Sequence, residues 1–170
     1  MDHFFKYICT FDWNEQQDEG RSIAAANDEL VTKYAEYETE IVAFYGRWEE
    51  MLGGPIAGCV SILEKLKEHN QYRLFALTNW SAETWPFAIR KYDFLNHFEG
   101  IVVSGKERIK KPNPAIYELI LTRYGLIAEE CLFIDDNLRN IVAAKKMGVQ
   151  GIRFENPDQL VAKLKELGIL

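Results

Sequence analysis

Cysteine is scarce in this sequence. Cys9, Cys59 and Cys131 are an odd, scattered set with no CxxC pair. That excludes a disulfide scaffold and fits reduced thiols in a cytosolic protein. His3, His69 and His97 stand at no ligand spacing, so a structural zinc site is excluded and the histidines carry no assigned role. No apolar run approaches the ~18 residues that span a bilayer. The opening Met-Asp-His-Phe-Phe-Lys lacks the basic start and small-residue cleavage site of a signal peptide. The expectation is a cytoplasmic protein without a membrane partner. Long Lys/Arg runs are missing too: 20 basic residues face 26 acidic ones, for a net charge of −6. Nucleic acid is therefore not an expected partner. There is no internal repeat and no low-complexity segment.

Aromatic residues are plentiful, with 10 Phe, 8 Tyr and 4 Trp in 170 residues. Such a chain buries a real core and is not disordered. Its length suits one domain, or one with a small insert.

The patterning changes near Gly53-Gly54-Pro55. Before it, apolar residues recur at helical spacing over 22–36 (Ile23, Ala26, Leu30, Val31, Tyr34), with Ser22 as N-cap, and over 38–51 (Ile41, Val42, Tyr45, Trp48, Met51). After it, short apolar runs alternate with amphipathic stretches. Helices are predicted over 57–68, 82–91 (interrupted near Pro86), 114–124, 138–147 and 158–167. Asn113 and Pro114 start the third of these, and Gly148 ends the fourth. Strands are predicted at 73–77, 100–104, 131–134 and 151–154. Their runs lack polar alternation, as parallel strands buried on both faces do. Strand and helix in turn spell a three-layer, Rossmann-like α/β fold, which binds ligands at the carboxyl ends of its strands.

Three strand ends carry chemistry. Thr78-Asn79-Trp80-Ser81 offers hydroxyls and an amide before a helix, suited to an anion; the same residues would equally serve as helix caps. Lys111, held extended before Pro112, would neutralise an anion or a carboxylate; a solvated basic turn is the other reading. Asp135-Asp136 places two carboxylates at the end of a buried strand, where a hard cation such as Mg²⁺ offsets their repulsion. One cap and one exposed acid is the plainer alternative.

Taken together and in this order, LTNWS, KKPNPAIY and FIDDN followed by a helix and Gly-Val resemble the second, third and fourth motifs of the haloacid dehalogenase superfamily of hydrolases. The resemblance covers Leu52 to the C-terminus. Residues 12–51, with WNEQQDEGR, resemble that family's helical cap, in its dehalogenase and epoxide-hydrolase-phosphatase branch. It implies a partial cap over 1–51 and an α/β core over 52–170. It implies that Thr78 and Asn79 hold phosphate oxygens and that Lys111 orients the nucleophile. Asp136 would bind Mg²⁺, with Asp135 as its partner on Lys111, on the metal or on a metal-bound water; the two acids are interchangeable at this stage. Trp13, Gln16, Gln17 and Arg21 would face the mouth of the site, with Trp13 alternatively anchoring the cap.

The family's first strand ends in Asp-x-Asp, the first Asp being the nucleophile and the second the acid/base. This sequence contains no Asp-x-Asp. Tyr7 to Asn14, an apolar run ending in Asp-x-Asn, is its nearest imitation and makes Asp12 a second candidate nucleophile; helix or loop within the cap is the preferred reading of residues 3–11. The expectation is a chain without its central strand, whose two neighbours lose a ladder partner. The functional expectation is a Mg²⁺-dependent phosphatase of small phosphorylated metabolites, inactive as written. The alternatives are a 2-haloacid dehalogenase, or a non-catalytic truncated paralogue or binding module.

Overall fold

The computed structural model describes residues 2–170. Residues 2–46 carry helices and no strand: α1 (Asp2–Tyr7), α2 (Phe11–Glu15), α3 (Ile23–Lys33) and α4 (Glu38–Gly46). Ser22 caps α3 by accepting from Ala25 N–H at 3.1 Å. Ile8, Cys9, Trp13, Ala26, Leu30 and Ile41 form the core of this region. Burial pushes the Cys9 thiol up to about 12, which keeps it protonated and unreactive.

Two predicted helices are shorter than their apolar periodicity suggested. The first breaks at Tyr34, whose hydroxyl reaches Tyr7 O at 3.4 Å, and continues as a 3₁₀ turn. The second ends at Gly46, and a 3₁₀ turn over Trp48–Met51 follows. There Trp48 packs edge-on to Trp80 and Phe87, which draws this turn onto the rest of the molecule.

From Ala57 onward, α5 (Ala57–His69), β1 (Phe75–Thr78), α6 (Trp85–Lys91), β2 (Gly100–Val103), α7 (Ser104–Glu107) and α8 (Pro114–Tyr124) alternate. β3 (Leu132–Asp135), α9 (Leu138–Lys146), β4 (Gln150–Arg153) and α10 (Pro157–Glu166) follow. Pro86 does not interrupt α6; it sits in the first turn, where its missing N–H costs nothing. Gly148 takes φ 84 just past α9, and its N–H and that of Val149 close on Lys145 O and Ala144 O.

The four strands do not form one sheet. β1 pairs with β2 and β3 with β4, both in parallel, and no ladder joins β1 to β3. Helices cover both faces. Leu132 and Ile152 pack against α5 and α10 through Ile62, Leu66, Leu160 and Leu164. Leu77, Val102 and Phe133 pack against α8 and α9 through Ile116, Tyr117 and Ala144. Neighbours Leu132 and Phe133 thus serve opposite layers, as the period of a strand requires. No helix among the described residues is long and apolar enough to cross a membrane.

Candidate active site

The carboxyl ends of β1 and β3 meet at one ammonium group. Lys111 Nζ donates to Leu77 O at 2.8 Å and to Asp135 Oδ2 at 2.7 Å. Both side chains are nearly buried, at 10% and 6% exposure. The other oxygen of Asp135 accepts from Asn137 N–H at 2.8 Å and Asn140 Nδ2 at 2.9 Å. A buried carboxylate so supplied is fully satisfied. Asn140 is itself held, because Tyr117 donates its hydroxyl to Asn140 O at 3.0 Å while its ring meets Phe133 edge-on. Burial, with Asp135 nearby as a smaller cause, pushes the Tyr117 phenol well up, so it remains a donor.

Asn79 holds Lys111 from the backbone side. Its Nδ2 donates to Lys111 O at 3.0 Å and its Oδ1 accepts from Lys111 N–H at 2.9 Å. One N–H and the oxygen of the amide expected to touch an anion thus hold the lysine, and its second N–H is not engaged by Lys111. Thr78 donates its hydroxyl only weakly, to Asn79 O at 3.5 Å. Lys111 has a third N–H that neither Leu77 nor Asp135 takes. Ser104, wholly buried, accepts from Trp80 N–H at 2.9 Å and ties the end of β2 to the loop after β1. Gly105 closes the same contact: a Cβ there would stand 2.4 Å from Ala82 N and 2.7 Å from Trp80 O, both backbone atoms.

The two adjacent aspartates, interchangeable in the sequence, are distinct in space. Asp135 points inward, accepting from Asn137 and Asn140 at Oδ1 and from Lys111 at Oδ2, which leaves one Oδ2 lone pair over. Asp136 is exposed, and only its backbone carbonyl is bonded, to Arg153 Nε at 3.3 Å. Its carboxylate fits as one oxygen ligand of a hard cation. No three His, Cys, Asp or Glu side chains among the described residues converge as a metal site. Mg²⁺ wants several oxygens, so Asp136 supplies at most part of its shell.

The N-terminal helices meet these strand ends through charge. Lys110 Nζ reaches Glu15 O at 3.3 Å, Glu15 Oε2 at 3.2 Å and Glu19 Oε2 at 3.8 Å. Asp18 beside them is pushed up to about 6, chiefly by burial. Lys110 and the Ser81 N–H oppose that rise, and Glu15 adds to it. A cavity of about 330 Å³ lies along this seam, lined by Gln17, Arg21, Ser81, Glu83, Lys106 and Arg108 among others. Of the residues expected at the mouth, Gln17 and Arg21 line this cavity. Arg21 is tied back to Gln17 Oε1 and Trp13 O, each at 2.9 Å, and to Glu29. Trp13 is buried, donating to Ala26 O at 3.2 Å, and anchors the helices as its alternative reading had it. Gln16 is exposed and reaches Asp12 O. Asp12 lies exposed in the first turn of α2, on no strand end.

Sequence reasoning passed over Asn140, Tyr117 and Lys110. Asn140 left one signal: a polar residue beside Ile141 on the inward side of a helix that starts right after the aspartates.

Comparison with known proteins places these features in a family. A family model described as haloacid dehalogenase-like hydrolase matches residues 3–154. The sesquiterpene phosphatase astK of Aspergillus oryzae is 28% identical over 113 residues, 66% of this chain and 57% of that protein. Haloacetate dehalogenase H-2 of Moraxella is 32% identical over 78 residues, 46% of this chain and 35% of that protein. This chain thus spans little more than half the length of the first and about a third of the second. A HAD family enzyme of Bacteroides thetaiotaomicron, solved with magnesium and inorganic phosphate, superposes with TM-score 0.72 at 22% identity, covering 91% of this chain and 82% of that one.

Proposed function

The chain belongs to the haloacid dehalogenase-like hydrolases, and from that premise we propose that it carries the anion-binding part, and one metal ligand, of a Mg²⁺-dependent phosphatase site for small phosphorylated metabolites. The observation that carries this reading is the Lys111 ammonium, fixed between Leu77 O and Asp135 at the meeting point of two strand ends, with a donor to spare. In this reading residues 1–51 are a partial cap and residues 52–170 the core. Thr78 Oγ1 donates to a phosphoryl oxygen. Lys111 donates its third N–H to the same group and offsets the charge that grows on it in the transition state. Asp135 and Asn79 hold Lys111 in place, which spares reorganisation during reaction. Asp136 would hold Mg²⁺, whose charge lowers the cost of bringing a carboxylate to a phosphate. The attacking carboxylate belongs to a strand ending in Asp-x-Asp, which residues 1–170 do not contain. Its oxygen bonds to phosphorus as the ester oxygen departs and takes a proton from the second Asp; water then hydrolyses the aspartyl-phosphate. The setting we propose is cytoplasmic, with no nucleic-acid or membrane partner.

A second reading, a 2-haloacid dehalogenase, draws support from the same network. That chemistry needs no metal, and an Asp135 bonded to Lys111 and Asn140 suits it equally.

The test is a version extended by a strand ending in Asp-x-Asp, assayed with p-nitrophenyl phosphate and with chloroacetate. Phosphate release that needs Mg²⁺ and disappears in Asp136→Ala is the expected result. Metal-independent chloride release would establish the dehalogenase instead. Turnover of neither, with the fold intact, would leave a binding module. The 170-residue chain itself should show no turnover; turnover that Asp12→Asn abolishes would make Asp12 the nucleophile and overturn the assignment.

A further inference from the structure

The cavity of about 330 Å³ on the seam is separate from the strand-end site: Thr78, Asn79, Lys111 and Asp136 do not line it. Two of its lining residues are cations without a partner. Arg21 is spent on Gln17, Trp13 and Glu29. The neighbouring Glu107 and Lys110 are paired with Arg123 and Glu15. Lys106 and Arg108 form no ion pair among the described residues, and both are exposed. Arg108 is nonetheless held at its root. Its backbone is left-handed at φ 59 and its N–H closes α7 on Ser104 O. Its stem lies against Gly20, where a Cβ would stand 2.8 Å from Arg108 Cγ.

The rest of the lining offers hydrogen-bond donors. Glu83 Oε1 accepts from Ile23 N–H at 2.7 Å, so a carboxylate already sits at the N-terminus of α3. Ile23 is the first residue of that helix, and Ser22 Oγ covers Ala25 N–H beside it. Gln17 is wholly buried. Arg21 Nε donates to its Oε1, which fixes the orientation of the amide, and its Nε2 has no hydrogen-bond partner. Tyr45 stands close, but no bond of ordinary geometry joins the two. A buried donor in this state is short of an acceptor. The other acids nearby are committed: Glu29 is bound to Arg21, and Asp18 accepts from Ser81 N–H.

We propose that the seam cavity is a second oxyanion site, in which a small phosphate or carboxylate ligand pairs with Lys106 and Arg108 and takes the Ile23 N–H over from Glu83. The volume stands at the lower end of small-molecule sites, which start at about 300 Å³, so the ligand has few heavy atoms. Charge-assisted bonds from a guanidinium, an ammonium and a helix N–H select an oxyanion over a neutral group. Glu83 marks the place of the acceptor. Its release to solvent keeps two carboxyl groups from sharing one cavity. Ile23 belongs to the N-terminal helices and Lys106 and Arg108 follow β2, so a bound oxyanion bridges the two regions. The inference goes beyond the proposed function and stands without it, since no residue of the strand-end site takes part.

The experiment follows the intact, isotope-labelled chain by NMR as inorganic phosphate or, separately, malonate is added, with chloride keeping the ionic strength constant. Saturating shifts are expected at the Ile23 amide and the Arg108 side chain. Arg108→Ala, at an exposed position, should weaken binding by about tenfold or more, the worth of a charge-assisted bond. Ile23→Pro removes the N–H yet suits the first position of a helix, and should weaken binding by about two- to tenfold. Glu83→Gln removes the competing anion and should tighten it. Saturation by phosphate alone would identify a phosphate site and saturation by malonate alone a carboxylate site; either upholds the proposal. Shifts confined to Thr78 and Lys111, equal affinity in Arg108→Ala and the parent, or a response that chloride alone reproduces would overturn it. So would weaker binding in Glu83→Gln, since Glu83 would then support the ligand rather than hold its place.

Discussion

Lys110 and Lys111 are consecutive, yet they serve two regions with opposite designs. Lys111 belongs to the strand ends, where a buried carboxylate, a backbone carbonyl and the side chain of Asn79 each meet a partner at 2.7 to 3.0 Å. Lys110 belongs to the seam with the N-terminal helices, where one half-buried ammonium is shared by Glu15 and Glu19 at 3.2 and 3.8 Å and also acts on Asp18. The first network is buried and closely bonded, with one Lys111 N–H to spare, so its members have one arrangement. The second is more exposed and sets one ammonium among three carboxylates, so it tolerates rearrangement. A region that positions a reacting group needs the first kind of order; a region that must part to admit a ligand works with the second.

The largest effect is expected from breaking the first network. Lys111→Met leaves Asp135 buried without its cation, which should cost about 3–5 kcal/mol of stability in urea denaturation. Adding Asp135→Leu and Asn140→Leu should return much of that loss, because the unpaired charge and the amide left facing it both go. If Lys111→Met alone changes stability no more than a surface substitution, the network is not the closed one described.

Asn79→Ala comes next. It removes two hydrogen bonds to the Lys111 backbone, at an expected cost of about 1–3 kcal/mol in the same measurement. In an active, extended version it should lower turnover more than it raises KM, because a displaced Lys111 harms the transition state first. An effect on KM alone would mean that Asn79 binds the anion directly, as the sequence had led us to expect.

Contacts made by tertiary structure alone show where the sequence stops being informative. Strand positions, the Asn113 and Ser22 caps and the meeting of Lys111 with Asp135 were readable, because each follows from local pattern plus the rule that strand ends share one edge. The clamp of Asn79 on Lys111 links residues 32 apart in the chain and leaves no periodic trace. Nor did periodicity tell Asp135 from Asp136. One faces in and one out, but the register that decides between them depends on β4 and α9. The break of the helix after Gly46 came from Trp48 finding Trp80, a contact between regions. The split of the sheet was readable, since a strand between β1 and β3 has no counterpart in the sequence.

The smallest effects belong to the seam. Lys110→Gln should change stability by no more than about 1 kcal/mol, and less at high salt, as partly exposed pairs do. Its clearer trace is on Asp18. Burial raises that carboxyl from 3.8 to about 6, while Lys110 holds it down. The folded protein thus binds this proton more tightly than the unfolded chain. The stability it contributes is complete below about pH 4 and is lost as pH rises through about 6. Asp18→Asn removes that dependence. The variant should gain on the parent between about pH 5 and pH 7 and show no such gain near pH 4, measured as the difference in urea midpoint. In Lys110→Gln the cation that opposes burial is gone, so the Asp18 titration followed by carboxyl NMR should move above 6. A downward movement, or none, would mean that Lys110 does not act on Asp18, and the charge shared across this seam would then end at Glu15 and Glu19.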